Sequence, residues 1–221
     1  MSGSSDLLLV AFATAAPVLA ALLLARHLPA GQRPSILWFA ICGAATGYMA
    51  LLVEKFGVPS LAQAAPASTA AAFKLSFLVV APIEEVCKLG IVQHEVSAKR
   101  DLAVRSAAMI GLATGAGFAA LENYIYVAHA EAGLEGTVIA RLLTATPFHM
   151  ANGVLGGILI WQASRSGKPF ALLGALLVIV LLHGAYDAPL FAGGALAAKF
   201  AFVLGLTVAI AAGLYRKLPA A

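Results

Sequence analysis

The stretch Pro82-Ile83-Glu84-Glu85-Val86-Cys87-Lys88 decides how this chain is read. It lies mid-way along a run from about Ala70 to Val92 that is otherwise apolar apart from Lys74. A run of that length crosses a bilayer as a helix. Each charge at the centre of a membrane helix costs about 2.5–3.5 kcal/mol on insertion scales. Such groups persist where they face a protein interior or a water cavity and meet partners there. Those partners must lie elsewhere in the chain.

The composition supports a membrane setting. Of 221 residues, 62% are hydrophobic and only 11% charged, against roughly 25% charged in an ordinary soluble domain. Mean hydropathy is +0.94. The expected fold is an all-α polytopic helix bundle, a single domain over residues 1–221, with about seven spans near 7–25, 35–53, 70–93, 106–129, 139–163, 170–190 and 195–215. The net charge of +4 does not indicate nucleic acid, because the basic residues cluster in short loops between apolar runs. Arg26, Arg33, Lys99, Arg100, Arg105, Arg165, Lys168, Arg216 and Lys217 fall on one side. Lys55, Lys74, Arg141 and Lys199 fall on the other, with Asp6, Glu54, Glu131 and Glu135. The positive-inside rule places the richer side in the cytoplasm, so the N-terminus is expected outside and the C-terminus inside. The first run follows Asp6 without a positive n-region, so it reads as a span rather than a cleaved signal. Cys42 and Cys87 sit inside apolar runs and suggest no disulfide framework. The Gly57–Thr69 loop reads as a surface helix or a mobile flap. Gly111, Gly115 and Gly117 in the fourth run read as close-packing positions.

The polar partners occur in the third to sixth runs. The fourth carries Phe118-Ala-Ala-Leu-Glu122-Asn123, the fifth Pro147-Phe-His149-Met-Ala-Asn152-Gly153, and the sixth His183-Gly-Ala-Tyr186-Asp187. At 1.5 Å per residue these groups share one layer between the midplane and the outer face. One polar focus built by four helices is expected, with the first, second and seventh runs as scaffold. Glu84 and Lys88 are four apart and share a helix face, so Lys88 is expected to neutralise Glu84. Glu85 points about 100° away and is expected to be freer to act. Asp187, four residues after His183, is placed to orient its ring. Pro82 and Pro147 each remove a backbone hydrogen bond and loosen the helix beside the focus.

Two chemistries fit these residues. Glu122, His149 and His183 suit a tetrahedral Zn²⁺ with one open position, another glutamate serving as base for the bound water. Alternatively Glu85 or Glu84 activates water without a metal, His149 or His183 assists, and Asn123 or Asn152 stabilises the oxyanion. Either hydrolyses a peptide bond within or beside the membrane. The same groups also suit a proton- or cation-coupled transporter, or a non-catalytic membrane scaffold. No Gly-rich phosphate loop, Gly-x-Ser-x-Gly elbow or His-Glu-x-x-His helix is present.

Glu84-Glu85-x-x-Lys88, Phe118-Ala-x-x-Glu122-Asn123, His149 with Gly153, and His183 with Asp187 together resemble the PrsW family of intramembrane proteases. That family is distantly similar to the CAAX-prenyl endopeptidases and to the scaffold subunit of gamma-secretase. The motifs cover residues 82–187, about half the chain, in order and on successive helices. The resemblance implies a multi-pass protease of the bacterial plasma membrane that makes the site-1 cut in membrane-anchored anti-sigma factors. The family's paired glutamates carry over to Glu84 and Glu85, and its helix-borne histidines to His149 and His183. In the prenyl-endopeptidase group the second motif ends in His; here that position is Glu122, which favours a Glu122/His149/His183 metal triad. The implied partners are a membrane-anchored protein substrate and the bilayer.

Overall fold

A computed structural model describes residues 3–30, 33–57, 68–130 and 133–219. Most of the expected Gly57–Thr69 loop, residues 58–67, lies outside them. Helices α1 (Ser4–Ala25) and α2 (Ile36–Gly57) come first. Next, α3 (Thr69–Leu75) passes through a π-helical turn at Ser76–Val80 into α4 (Ala81–Ala98). Then come α5 (Val104–Ala128), α6 (Leu134–Leu143), α7 (Ala145–Arg165), α8 (Ala171–Ala192), the short α9 (Gly194–Ala197) and α10 (Phe200–Lys217). There is no strand among the described residues.

Among the described residues, six helical stretches are long and apolar enough to cross a membrane. The expected third span is helical from Thr69 to Ala98, since the residues at both junctions keep αR geometry. It is not one of the six, because Glu84, Glu85 and Lys88 interrupt its apolar character. The expected fifth span is broken. Thr144, with φ −121° and ψ −72°, separates α6 from α7. Both departures sit just ahead of the two prolines. The π-helical turn precedes Pro82 and the Thr144 break precedes Pro147, where a missing N–H and a crowding ring disfavour regular α-helix.

The core is α5, which is buried along nearly all of Val104–Ala120. Its glycines let two neighbours reach its backbone. A Cβ at Gly111 would lie 1.9 Å from the Gly153 carbonyl oxygen of α7, and one at Gly117 would lie 1.8 Å from that of Ala40 on α2. At Gly115 the obstacle is the carbonyl oxygen of His149 itself, 2.2 Å away. Small residues thus bring helices together where lipid supplies no hydrophobic drive. Gly115→Ala is expected to push the His149 backbone off α5, destabilising the fold by about 1–3 kcal/mol as overpacking does. A thermal melt in detergent, compared with Gly174→Ala, whose Cβ meets nothing within 4 Å, checks this. The outer faces carry large exposed apolar side chains, among them Leu8, Trp38, Leu181 and Phe202, as lipid contact requires. Cys42 and Cys87 are both free thiols.

Candidate active site

Four helices bring the ionisable groups of the sequence motifs together. On α4, successive residues of one helical turn carry Glu84, Glu85 and Lys88, all buried. Lys88 Nζ lies 2.7 Å from Glu85 Oε1 and 3.4 Å from Glu84 Oε2. It also sits 4.1 Å from the centroid of the Phe118 ring on α5. Lys88 is therefore paired more closely with Glu85 than with Glu84, the reverse of the expected emphasis. The reason is tertiary: His183 from α8 approaches from the same side and anchors Glu85.

His183 is held at both ring nitrogens. Nδ1 lies 2.5 Å from Glu85 Oε1, and Nε2 lies 3.1 Å from Asp187 Oδ2 and 3.6 Å from Glu84 Oε2. Asn152 of α7 donates to Glu85 Oε1 at 3.1 Å and to the Ile179 carbonyl at 3.4 Å. Glu85 is thus a buried hub, 1% exposed, rather than the freer acid that helix geometry alone suggests. Asn152, expected to donate to a substrate carbonyl, spends its amide hydrogens on Glu85 and the α8 backbone.

His149 projects from α7 between Glu122 and Lys88. Its Nε2 lies 2.6 Å from Glu122 Oε2, and its Nδ1 3.2 Å from Lys88 Nζ. An ammonium has only hydrogens to offer, so Nδ1 is the acceptor and the proton is on Nε2, donated to Glu122. Glu122 Oε2 also accepts from Arg141 Nη2 at 2.8 Å. Arg141 comes from α6 and donates a second bond to Asn123 Oδ1 at 3.0 Å. The Asn123 amide donates to the Ala13 carbonyl and to Thr146 Oγ1, both at 3.0 Å. Asn123 therefore ties α5 to α1 and α7, and its hydrogens are not available to an oxyanion. Nothing local in the sequence marks Arg141 as part of this network. It reads as a basic residue at a span end, and only the break at Thr144 turns its helix over Glu122.

These groups line a cavity of about 700 Å³. Glu84, Glu122, Arg141, His149, His183 and Asp187 all face it, whereas Glu85 and Lys88 lie behind its wall. Glu54, assigned to a scaffold helix from the sequence, also lines it. Each buried charge here has an opposite charge or a hydrogen bond, which is what makes burial tolerable.

One group of side chains suits a metal ion. Glu84, His149 and His183 each offer a ligand atom, all within 4.8 Å of one another. Ligand atoms about 2 Å from one tetrahedral ion lie roughly 3.4 Å apart, so the three would have to draw closer to share one centre. A carboxylate with two imidazoles is a donor set that Zn²⁺ accepts. Glu122, the third ligand expected from the sequence, is not in this group. Its carboxylate is engaged by Arg141 and by the His149 N–H.

Comparison with known proteins agrees with this architecture. No curated protein and no solved structure matches the chain. A family model described as PrsW family intramembrane metalloprotease matches residues 31–214. That match takes in every helix from α2 to α10, and with them all the cavity carboxylates and both histidines, so the chain belongs to the PrsW family of intramembrane metalloproteases.

Proposed function

We propose that the chain hydrolyses a peptide bond of a membrane-anchored protein at Glu84, His149 and His183, making the site-1 cut in an anti-sigma factor near the extracytoplasmic face of a bacterial plasma membrane. The observation that carries this reading is the convergence of those three side chains on one cavity wall. Family membership favours it over the ion-coupled transporter and the scaffold. The loop charges support an outside N-terminus and a cytoplasmic C-terminus, which puts the cavity nearer the outer face.

Glu84, His149 and His183 would hold one divalent cation, and Zn²⁺ suits the donor set. Bound there, it would supply Lewis acidity to water and to the scissile carbonyl. Each residue would give one atom, which leaves Glu84 a second carboxylate oxygen. That oxygen accepts the hydrogen of the attacking water. Glu122 keeps the His149 proton on Nε2, which leaves Nδ1, now accepting from Lys88, as the atom that would be given to the ion. Glu85 holds the His183 ring at Nδ1, so Nε2, on the side of Glu84 and Asp187, is the nitrogen that would be given to the ion. Lys88, behind the cavity wall, balances the charge of the buried acid pair. Glu85, Asp187 and Glu122 are positioning residues in this scheme, and Glu84 is the catalytic carboxylate.

Metal content tests the ligand set directly. Mass spectrometry of protein purified without chelator is expected to give about one Zn²⁺ per chain, as a single Glu/His/His site would hold. His149→Ala and Glu84→Ala should each lose it, and Asn123→Ala should retain it. Metal retained in both ligand variants would place it elsewhere.

A further inference from the structure

Glu54 stands apart from every other carboxylate on the cavity wall. Glu84 meets Lys88 and His183, Glu122 meets Arg141 and His149, and Asp187 meets His183. Glu54 Oε1 is shielded from solvent and has no hydrogen-bond partner among the described residues. The cation next to it in sequence does not help, since Lys55 Nζ lies over the Phe56 ring, 5.6 Å from its centroid. A carboxylate oxygen removed from water without a donor is costly. The cost is placed where another chain must enter, on the wall of the cavity that holds Glu84, His149 and His183.

The missing partner is a hydrogen-bond donor, and its charge follows from the wall. Arg141 is the only lysine or arginine among the cavity-lining residues, and Glu122 already neutralises it. Lys88 lies behind the wall, against Glu84 and Glu85. Glu54 therefore forms no ion pair among the described residues, and its Oε1 meets no donor there. An amide N–H would solvate it, whereas a cation would both solvate and neutralise it. Glu54, near the end of α2, shares the cavity wall with Glu84, His149 and His183.

We propose that Glu54 is a specificity-determining residue of this cavity and binds a lysine or arginine side chain that flanks the scissile bond. The assignment rests on the endopeptidase reading above. It makes the substrate a membrane-anchored chain with a basic residue close to the cut.

The test uses full-length protein in proteoliposomes and membrane-anchored reporter peptides that differ only by Arg or Gln at successive positions around the cut. Wild type is expected to favour Arg at one position by about tenfold or more in kcat/KM, the size of a charge-assisted hydrogen bond. Glu54→Gln should bring that ratio to within about twofold, Glu54→Asp should retain part of it, and Glu54→Arg should favour a Glu reporter instead. The same Arg and Gln reporters, fluorescently labelled, are bound to Glu84→Gln protein with and without Glu54→Gln. Anisotropy then reads the contact without turnover, and the Arg advantage in Kd should vanish with the second substitution. Equal Arg preference with and without Glu54, or no preference in wild type, overturns the assignment. Failure of wild type to cut any reporter would sink the endopeptidase reading, and the anisotropy comparison would still decide the role of Glu54.

Discussion

Glu84→Gln abolishes cleavage of a membrane-anchored reporter, lowering turnover by about 10²–10⁴-fold, the range a general acid or base contributes, while the protein remains folded. The substitution is isosteric and acts at the one member of the acid pair that faces the cavity. The Glu84 carboxylate contacts to Lys88 and His183, at 3.4 and 3.6 Å, are long. Few native interactions are lost with its charge, whereas the basic carboxylate is lost entirely. The variant should therefore melt within a few degrees of wild type in detergent. Wild-type turnover in Glu84→Gln would remove this residue from the chemistry and return the role to another cavity carboxylate.

Glu85→Ala behaves in the opposite way and unfolds the site. Glu85 Oε1 alone takes His183 Nδ1 at 2.5 Å, Lys88 Nζ at 2.7 Å and Asn152 Nδ2 at 3.1 Å. Removing it leaves a lysine and a histidine buried without their strongest partner. Breaking a buried pair by deleting one member costs about 3–5 kcal/mol, mostly from the charge left behind. The measurement is chemical or thermal unfolding in detergent, and the expected result is a large loss of stability with loss of cleavage following from it. Glu85→Ala,Lys88→Met removes both charges and should recover part of the stability, because an apolar replacement of a whole ion pair is tolerated far better than half of one. An unchanged melt for Glu85→Ala together with lost cleavage would instead make Glu85 the base.

The contrast between these adjacent residues shows where sequence reading stops. Helical spacing places Glu84 and Lys88 on one face and turns Glu85 aside, and from that the pair Glu84–Lys88 follows. Spacing within α4 says nothing about what arrives from α8. Once His183 packs against the other face, Glu85 becomes the most enclosed acid and Lys88 leans towards it. Glu122 illustrates the same limit. Its position after Phe118 on α5 aims it at the polar layer, yet its ligand capacity is decided by Arg141, which the break at Thr144 swings over it. Asn123 and Asn152 likewise look available in the sequence and are committed by neighbours that are distant in it.

The sequence by itself determined the all-helical membrane class, the family, and the motif-bearing helices that meet at one polar centre. Those properties depend on composition, run length and charges too costly to leave unpaired in lipid, all of which are local to each run. It also marked Gly111, Gly115 and Gly117 as packing positions. Only the tertiary structure decided which acid faces the cavity, which is buried as an anchor, which three side chains cluster as a possible ion site, and that Glu54 joins the cavity wall with its Oε1 unpartnered among the described residues. Those outcomes depend on the rotation and depth of one helix against another. Backbone approaches across glycine and breaks ahead of proline set that rotation and depth, and neither is written in the spacing of any single helix.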